Sequence, residues 1–93
     1  MAKYSKEEVL ATIADTAMVP VFYNSDIEIS KKVLKACYDG GVRAFEFTNR
    51  GDFAHEVFGE LVKYATGELP GMIVGVGSVV DPATAALYLQ LGA

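Results

Sequence analysis

Gly40-Gly41-Val42-Arg43-Ala44-Phe45-Glu46-Phe47-Thr48-Asn49-Arg50-Gly51-Asp52 reads as a helix stop, a buried strand and a loop. Glycine suits the residue after a helix, where the chain turns left-handed. Residues 42–48 then form an apolar run of strand length with one carboxylate, Glu46, inside it. A carboxylate in an apolar strand is costly unless it is paired, hydrogen-bonded or used in chemistry. The two-residue period of a strand puts Thr48 and Arg50 on the same face as Glu46. An acid, a hydroxyl and a guanidinium therefore converge at one strand end, which points to an active site facing a small anionic substrate. The plainer alternatives are an ion pair of Glu46 with Arg43 or Arg50, a solvated Arg50, and a Thr48 that only lines the interior.

The same alternation extends outward from this stretch. Ser5-Lys6-Glu7-Glu8 has capping-box spacing, and Val9, Leu10 and Ile13 give the opening helix one apolar face to about Thr16. Residues 18–23 are an apolar run of strand length, with Pro20 restricting it to an edge or special position. Asn24-Ser25-Asp26 is a turn that caps a second helix, whose Ile29, Val33, Leu34 and Cys37 recur at helical spacing. After the strand, Asp52 is placed to cap a third helix, with Phe53, Val57, Phe58, Leu61, Val62 and Ala65 as its buried face. Gly67-Glu68-Leu69-Pro70-Gly71 breaks the chain, and residues 72–77 form a third strand. Asp81-Pro82 opens a last helix, with Asp as N-cap and Pro at its first position. Ala83, Ala86, Leu87 and Leu91 continue that helix to Gly92.

A leading helix followed by three βα units means an α/β fold with parallel strands covered by helices. Chemistry in such folds belongs to the strand-to-helix loops. The chain reaches Leu91-Gly92-Ala93 where a fourth strand is expected. A complete (β/α)8 barrel needs roughly 200 residues or more. The expectation is thus a single partial barrel domain over residues 1–93, not a small open α/β domain.

Composition narrows the function classes. With 93 residues, 52% hydrophobic and 22% charged, the chain is globular and holds one domain. A net charge of −4 without a basic stripe argues against nucleic-acid binding. Residues 1–5 lack the apolar core of a signal peptide, and the longest apolar run is too short for a bilayer. A single cysteine, Cys37, excludes an internal disulfide and a cysteine metal cluster. These points lead us to expect a cytoplasmic protein with no membrane partner.

The motifs of residues 42–50 and of Ile73-Val74-Gly75-Val76-Gly77-Ser78-Val79-Val80 resemble the N-terminal part of a known family. This is the 2-keto-3-deoxy-6-phosphogluconate aldolases, which overlap with the 4-hydroxy-2-oxoglutarate aldolases. The resemblance runs from about Val9 onward. It implies a trimeric (β/α)8 barrel and a class I, Schiff-base aldolase that cleaves a 2-keto-4-hydroxy acid to pyruvate and an aldehyde. It implies no metal and no organic cofactor. By position, Glu46 matches the general acid/base, Arg50 the residue beside the pyruvate carboxylate, and Ser78 a threonine that helps hold that carboxylate. Ser78 keeps the hydroxyl and loses a methyl. Asn49 stands where relatives often carry an apolar residue. Tyr23 stands where some carry arginine, so it joins Thr48 as a further candidate substrate contact. The Schiff-base lysine of the family lies on a later strand. All six lysines here (Lys3, Lys6, Lys31, Lys32, Lys35, Lys63) fall on expected helices or the N-terminal tail, so this chain is expected to be inactive alone.

Other residues have bland readings. Gly75 and Gly77 lack the third glycine and the lysine of a phosphate loop, and close packing or room for substrate explains them better. His55 lies one position off the buried stripe, and Tyr38, Tyr64 and Tyr88 are expected to cover the barrel or an interface. Ser78 could merely cap the turn before Asp81. Two rival functions share the pattern: another phosphosugar-barrel isomerase or synthase, and a small non-enzymatic α/β binding module.

Overall fold

Three of the four helices begin where a side chain satisfies their free N–H groups. In the computed structural model, which describes residues 2–93, α1 (Lys6–Thr16) carries the full capping box. The Ser5 hydroxyl accepts the Glu8 N–H at 3.1 Å, and the Glu8 carboxylate accepts the Ser5 N–H at 3.0 Å. Asp26 accepts the Glu28 and Ile29 N–H groups at the start of α2 (Ile27–Asp39). Asp81 does the same for Thr84 in α4 (Pro82–Gln90). The exception is α3 (Ala54–Glu68). Its cap is Phe53 in the left-handed conformation, with no side-chain hydrogen bond, and Asp52 does not cap it.

The strands are β1 (Val21–Phe22), β2 (Ala44–Thr48) and β3 (Ile73–Gly77). They pair in parallel in the order β1-β2-β3, so each βα unit lies beside the one before it. This is the arrangement of a partial (β/α) barrel with a short leading helix. β1 is shorter than the apolar run around it. Pro20 has no N–H to give a ladder, and only its carbonyl takes part, accepting the Glu46 N–H at 2.8 Å. Among the described residues, no helix is long and apolar enough to cross a membrane.

The register sorts side chains onto two faces. Val21 pairs with Glu46 and Phe22 with Phe47; Glu46 pairs with Gly75 and Thr48 with Gly77. Phe45, Phe47 and Val74 face the helices and pack with Leu34, Phe58, Leu61 and Tyr88 in one core. The ring of Phe58 bridges Phe47 at 6.3 Å and Tyr88 at 5.1 Å, the latter edge-on. Burying each such ring contributes about 1.5–3 kcal/mol. The opposite face carries Ala44, Glu46, Thr48, Ile73, Gly75 and Gly77. Here α1 lies across the sheet, and Val9, Ile13 and Val19 enclose a cleft of about 130 Å³ over Ala44, Glu46, Ile73 and Gly75.

Several expected contacts shift. Leu10 is 56% exposed and Phe53 67% exposed, so neither belongs to its helix's buried face. Ala54 takes the place of Phe53 at the start of the α3 stripe. That helix also runs through Gly67 to Glu68. On α4 the buried residue is Tyr88, 1% exposed, while Leu87 is 38% exposed. The reason is common to all of them: helical spacing defines a stripe, but the packing of neighbouring elements fixes its centre.

Removing the ring that joins sheet to helices tests this core. Phe58→Ala is expected to cost about 3–5 kcal/mol, against less than about 0.5 kcal/mol for Leu10→Ala. Urea denaturation followed by circular dichroism measures both. Equal losses would contradict the two-faced packing.

Candidate active site

Glu46 projects from the middle of β2 onto the face away from α2, α3 and α4. Its neighbours in the ladder are Val21 on one side and Gly75 on the other. Its carboxylate leans toward the C-terminal edge and lies over Gly77, where an added Cβ would stand 2.6 Å from the carboxyl carbon. Gly77 therefore supplies the space the carboxylate occupies. Above Gly75 the surface is open, its nearest group being a backbone oxygen at 3.9 Å. Both glycines lie on the Glu46 side of the sheet, away from α2, α3 and α4, so they make room on the site face.

The feared ion pairs are absent. Among the described residues Glu46 joins no salt bridge; the pairs present are Lys31–Glu28, Lys35–Asp39 and Lys63–Glu60, all within helices. Arg43 turns the other way. It donates to the carbonyls of Tyr38 and Val42, each at 2.8 Å, and its guanidinium lies over the Tyr38 ring at 3.7 Å.

Thr48 and Arg50 come together. The Arg50 Nε donates to the Thr48 Oγ1 at 2.8 Å, and that hydroxyl donates in turn to the Phe22 carbonyl at 3.4 Å. Thr48 is buried and Arg50 exposed. A buried hydroxyl thus fixes the Nε edge of the guanidinium, and among the described residues its two terminal nitrogens have no partner. Ser78 follows Gly77 directly, so it sits at the same edge as the Glu46 carboxylate. It is exposed and adopts φ 61°, a left-handed conformation uncommon for a residue other than glycine. The Asp81 side chain, not Ser78, caps the turn into α4.

Tyr23 does not join this group. Its ring packs on Phe47 at 5.4 Å, in the aromatic layer between sheet and helices. Its phenol lies against Gly51, where a Cβ would stand 2.7 Å from the ring carbon bearing the hydroxyl. β1 ends at Phe22, so the strand alternation that would carry Tyr23 to the Glu46 face no longer applies.

Two residues near the edge escaped the sequence reading. Asn49 donates its N–H to the Gly77 carbonyl at 2.9 Å, and its Oδ1 accepts the Tyr88 hydroxyl at 2.8 Å. The signal available was a phenol between Leu87 and Leu89; Asn49, flanked by Thr48 and Arg50, gave none, and nothing in the spacing links residues 39 apart. Burial, then the neighbouring Tyr23, pushes the Tyr88 phenol above the ordinary tyrosine value of 10.0. His55 packs near the exposed Phe53 ring, and Cys37 is partly buried against the core. No cluster of three or more His, Cys, Asp or Glu side chains suited to a metal occurs among the described residues.

Fold and site together define a partial (β/α) barrel whose C-terminal strand edge carries an unpaired acid, an oriented guanidinium and two bare glycines. Known proteins give this class a family. Over 91 residues, 98% of the chain, the sequence is 34% identical to proteins named KHG/KDPG aldolase from Escherichia coli (strain K12) and Shigella flexneri. It is 33% identical over the same length to a protein named 2-dehydro-3-deoxy-phosphogluconate aldolase from Dickeya dadantii (strain 3937). The chain spans 39% of the length of these relatives. The match bears out the resemblance to this aldolase family. No family profile matches the sequence.

Two measurements probe this geometry. Gly77→Ala should push the Glu46 carboxylate aside while the chain stays folded, because the obstacle is the far end of a flexible side chain. The carboxyl carbon resonance of Glu46 should move, with that of the distant Glu56 unchanged. An unmoved Glu46 resonance would place the carboxylate elsewhere. The raised Tyr88 phenol means the folded chain holds that proton more tightly than the unfolded one. This group therefore costs no stability below pH 10.0, and stability falls as pH rises from there through the shifted value. Urea midpoints at about pH 9 and about pH 11 should differ, and Tyr88→Phe should shrink the difference.

Proposed function

We propose that the chain forms part of a class I, Schiff-base aldolase. The substrate is a 2-keto-4-hydroxy acid, either 2-keto-3-deoxy-6-phosphogluconate or 4-hydroxy-2-oxoglutarate, and the products are pyruvate and an aldehyde. The observation that carries this reading is the Glu46 carboxylate, free of any ion pair and lying over Gly77 at the edge shared by Thr48, Arg50 and Ser78.

The residues divide the work. A lysine amine attacks the C2 ketone, water leaves, and the iminium draws electrons from the C3–C4 bond as it breaks. Glu46 accepts the C4 hydroxyl proton during cleavage and returns a proton to C3 of the resulting enamine. The terminal nitrogens of Arg50 fork the substrate carboxylate. The Ser78 hydroxyl donates to the same carboxylate. Thr48 holds the Arg50 Nε, and Tyr23 supports the loop from below at Gly51. None of the six lysines lies in a strand, so the nucleophile belongs to sequence beyond these 93 residues. The same reading makes the intact enzyme a cytoplasmic homotrimer and the isolated chain inactive.

Borohydride reduction in the presence of pyruvate, followed by mass spectrometry, tests the lysine assignment. The isolated chain should gain no pyruvyl adduct. A stable adduct would assign the nucleophile to one of its helix lysines instead. In a longer protein that contains this segment, Glu46→Gln should lower kcat by about 10²–10⁴ while trapping still succeeds. Unchanged turnover would remove Glu46 from the mechanism. Turnover without any trappable adduct in the longer protein would favour an isomerase or synthase.

A further inference from the structure

The loops that follow β2 and β3 are tied together by one side chain. Asn49 extends the β2–β3 ladder by a residue through its N–H bond to the Gly77 carbonyl, 2.9 Å. Its amide then works in two directions. The Oδ1 accepts the hydroxyl of the buried Tyr88 at 2.8 Å, and the Nδ2 reaches the Ser78 carbonyl in a long contact of 3.5 Å. Tyr88 sets the sense of this arrangement. A phenol hydroxyl that donates to Oδ1 leaves only the NH₂ group to face Ser78. Tyr88 itself is held in the core by Phe58, so the anchor beneath Asn49 is rigid.

What the amide meets at its far end is a residue in an unfavourable conformation. Ser78 has φ 61°, and a non-glycine residue stays there only when its surroundings require it. The ladder bond to Gly77 precedes Ser78, and the amide contact falls on Ser78 itself. On the other side, Asn49 lies between Thr48 and Arg50, the pair joined at 2.8 Å. A single residue therefore connects the β2 strand end, which carries the Thr48–Arg50 pair, to the backbone of Ser78 on the next.

We propose that Asn49, anchored by Tyr88, is a positioning residue that holds Ser78 in its left-handed conformation. It thereby sets the spacing between Ser78 and Arg50 for a substrate carboxylate. The role of that spacing rests on the keto-acid reading of the site; the tie between the strand ends does not.

The test uses the full chain, with two variants and two readouts by NMR. The first readout needs no ligand: the three-bond coupling between the Ser78 amide and α protons reports its φ. The second is a pyruvate titration followed at the Arg50 and Ser78 amides. In Asn49→Leu, Ser78 should leave the left-handed region and pyruvate should bind about tenfold more weakly, the worth of one hydrogen bond. Amides of α2 and α3 should stay where they were. Should Asn49→Leu fail to fold because it orphans the Tyr88 hydroxyl, Asn49→Asp serves in its place. It keeps the acceptor for Tyr88 and puts a charged oxygen in place of the donor toward Ser78, so the Ser78 coupling should still change. An unchanged Ser78 coupling in the folded variants would overturn the proposal. So would a relaxed Ser78 with undiminished pyruvate affinity. If wild-type chain shows no pyruvate shifts while Ser78 still relaxes in the variants, the keto-acid reading falls and the tie between strand ends is upheld.

Discussion

Burying Phe45 and Phe47 beneath the helices leaves Glu46 and Thr48 no choice of face. A strand alternates strictly, and a one-residue slip would put two aromatic rings in the cleft and a carboxylate in the core. The penalty for that exchange includes the burial energy of both rings and the desolvation of a charge. The hydrophobic layer of Phe47, Phe58 and Tyr88 is therefore what aims the acid. Positioning of the polar groups is a by-product of packing the apolar ones.

The polar face is assembled by subtraction as much as by addition. β3 contributes no side chain beside Glu46, only Gly75 and Gly77, and the carboxylate rests in the space so created. Thr48, buried between sheet and loop, orients Arg50 from its inner edge and satisfies its own proton on the Phe22 carbonyl. Each polar group on this face thus has either a partner or room, and Glu46 has room. An acid that moves protons needs that freedom, whereas one locked in a salt bridge with Arg43 or Arg50 would not have it.

Much of this was legible in the sequence because it depends on local rules. Ser5, Asp26 and Asp81 were readable as caps, and all three cap their helices. The glycine at 41 was readable as a helix stop, and it adopts φ 103°. The apolar runs and their alternation with amphipathic stretches gave the parallel strands and the side on which Glu46 lies. What stayed hidden depends on contacts between distant residues. Phe53 caps α3 through backbone conformation alone, which leaves no compositional trace. The fate of Tyr23 turned on where β1 stops, after only two residues paired with β2. The Asn49–Tyr88 bond joins a loop to a helix three elements later. Periodicity says nothing about such a pair.

The strand order has a consequence for how the chain is made. β1, β2 and β3 lie side by side in the order of synthesis, so each new strand emerges from the ribosome after its pairing surface already exists. No strand has to wait for a later one to be inserted between it and its neighbour. Growth proceeds by adding one βα unit to a standing template.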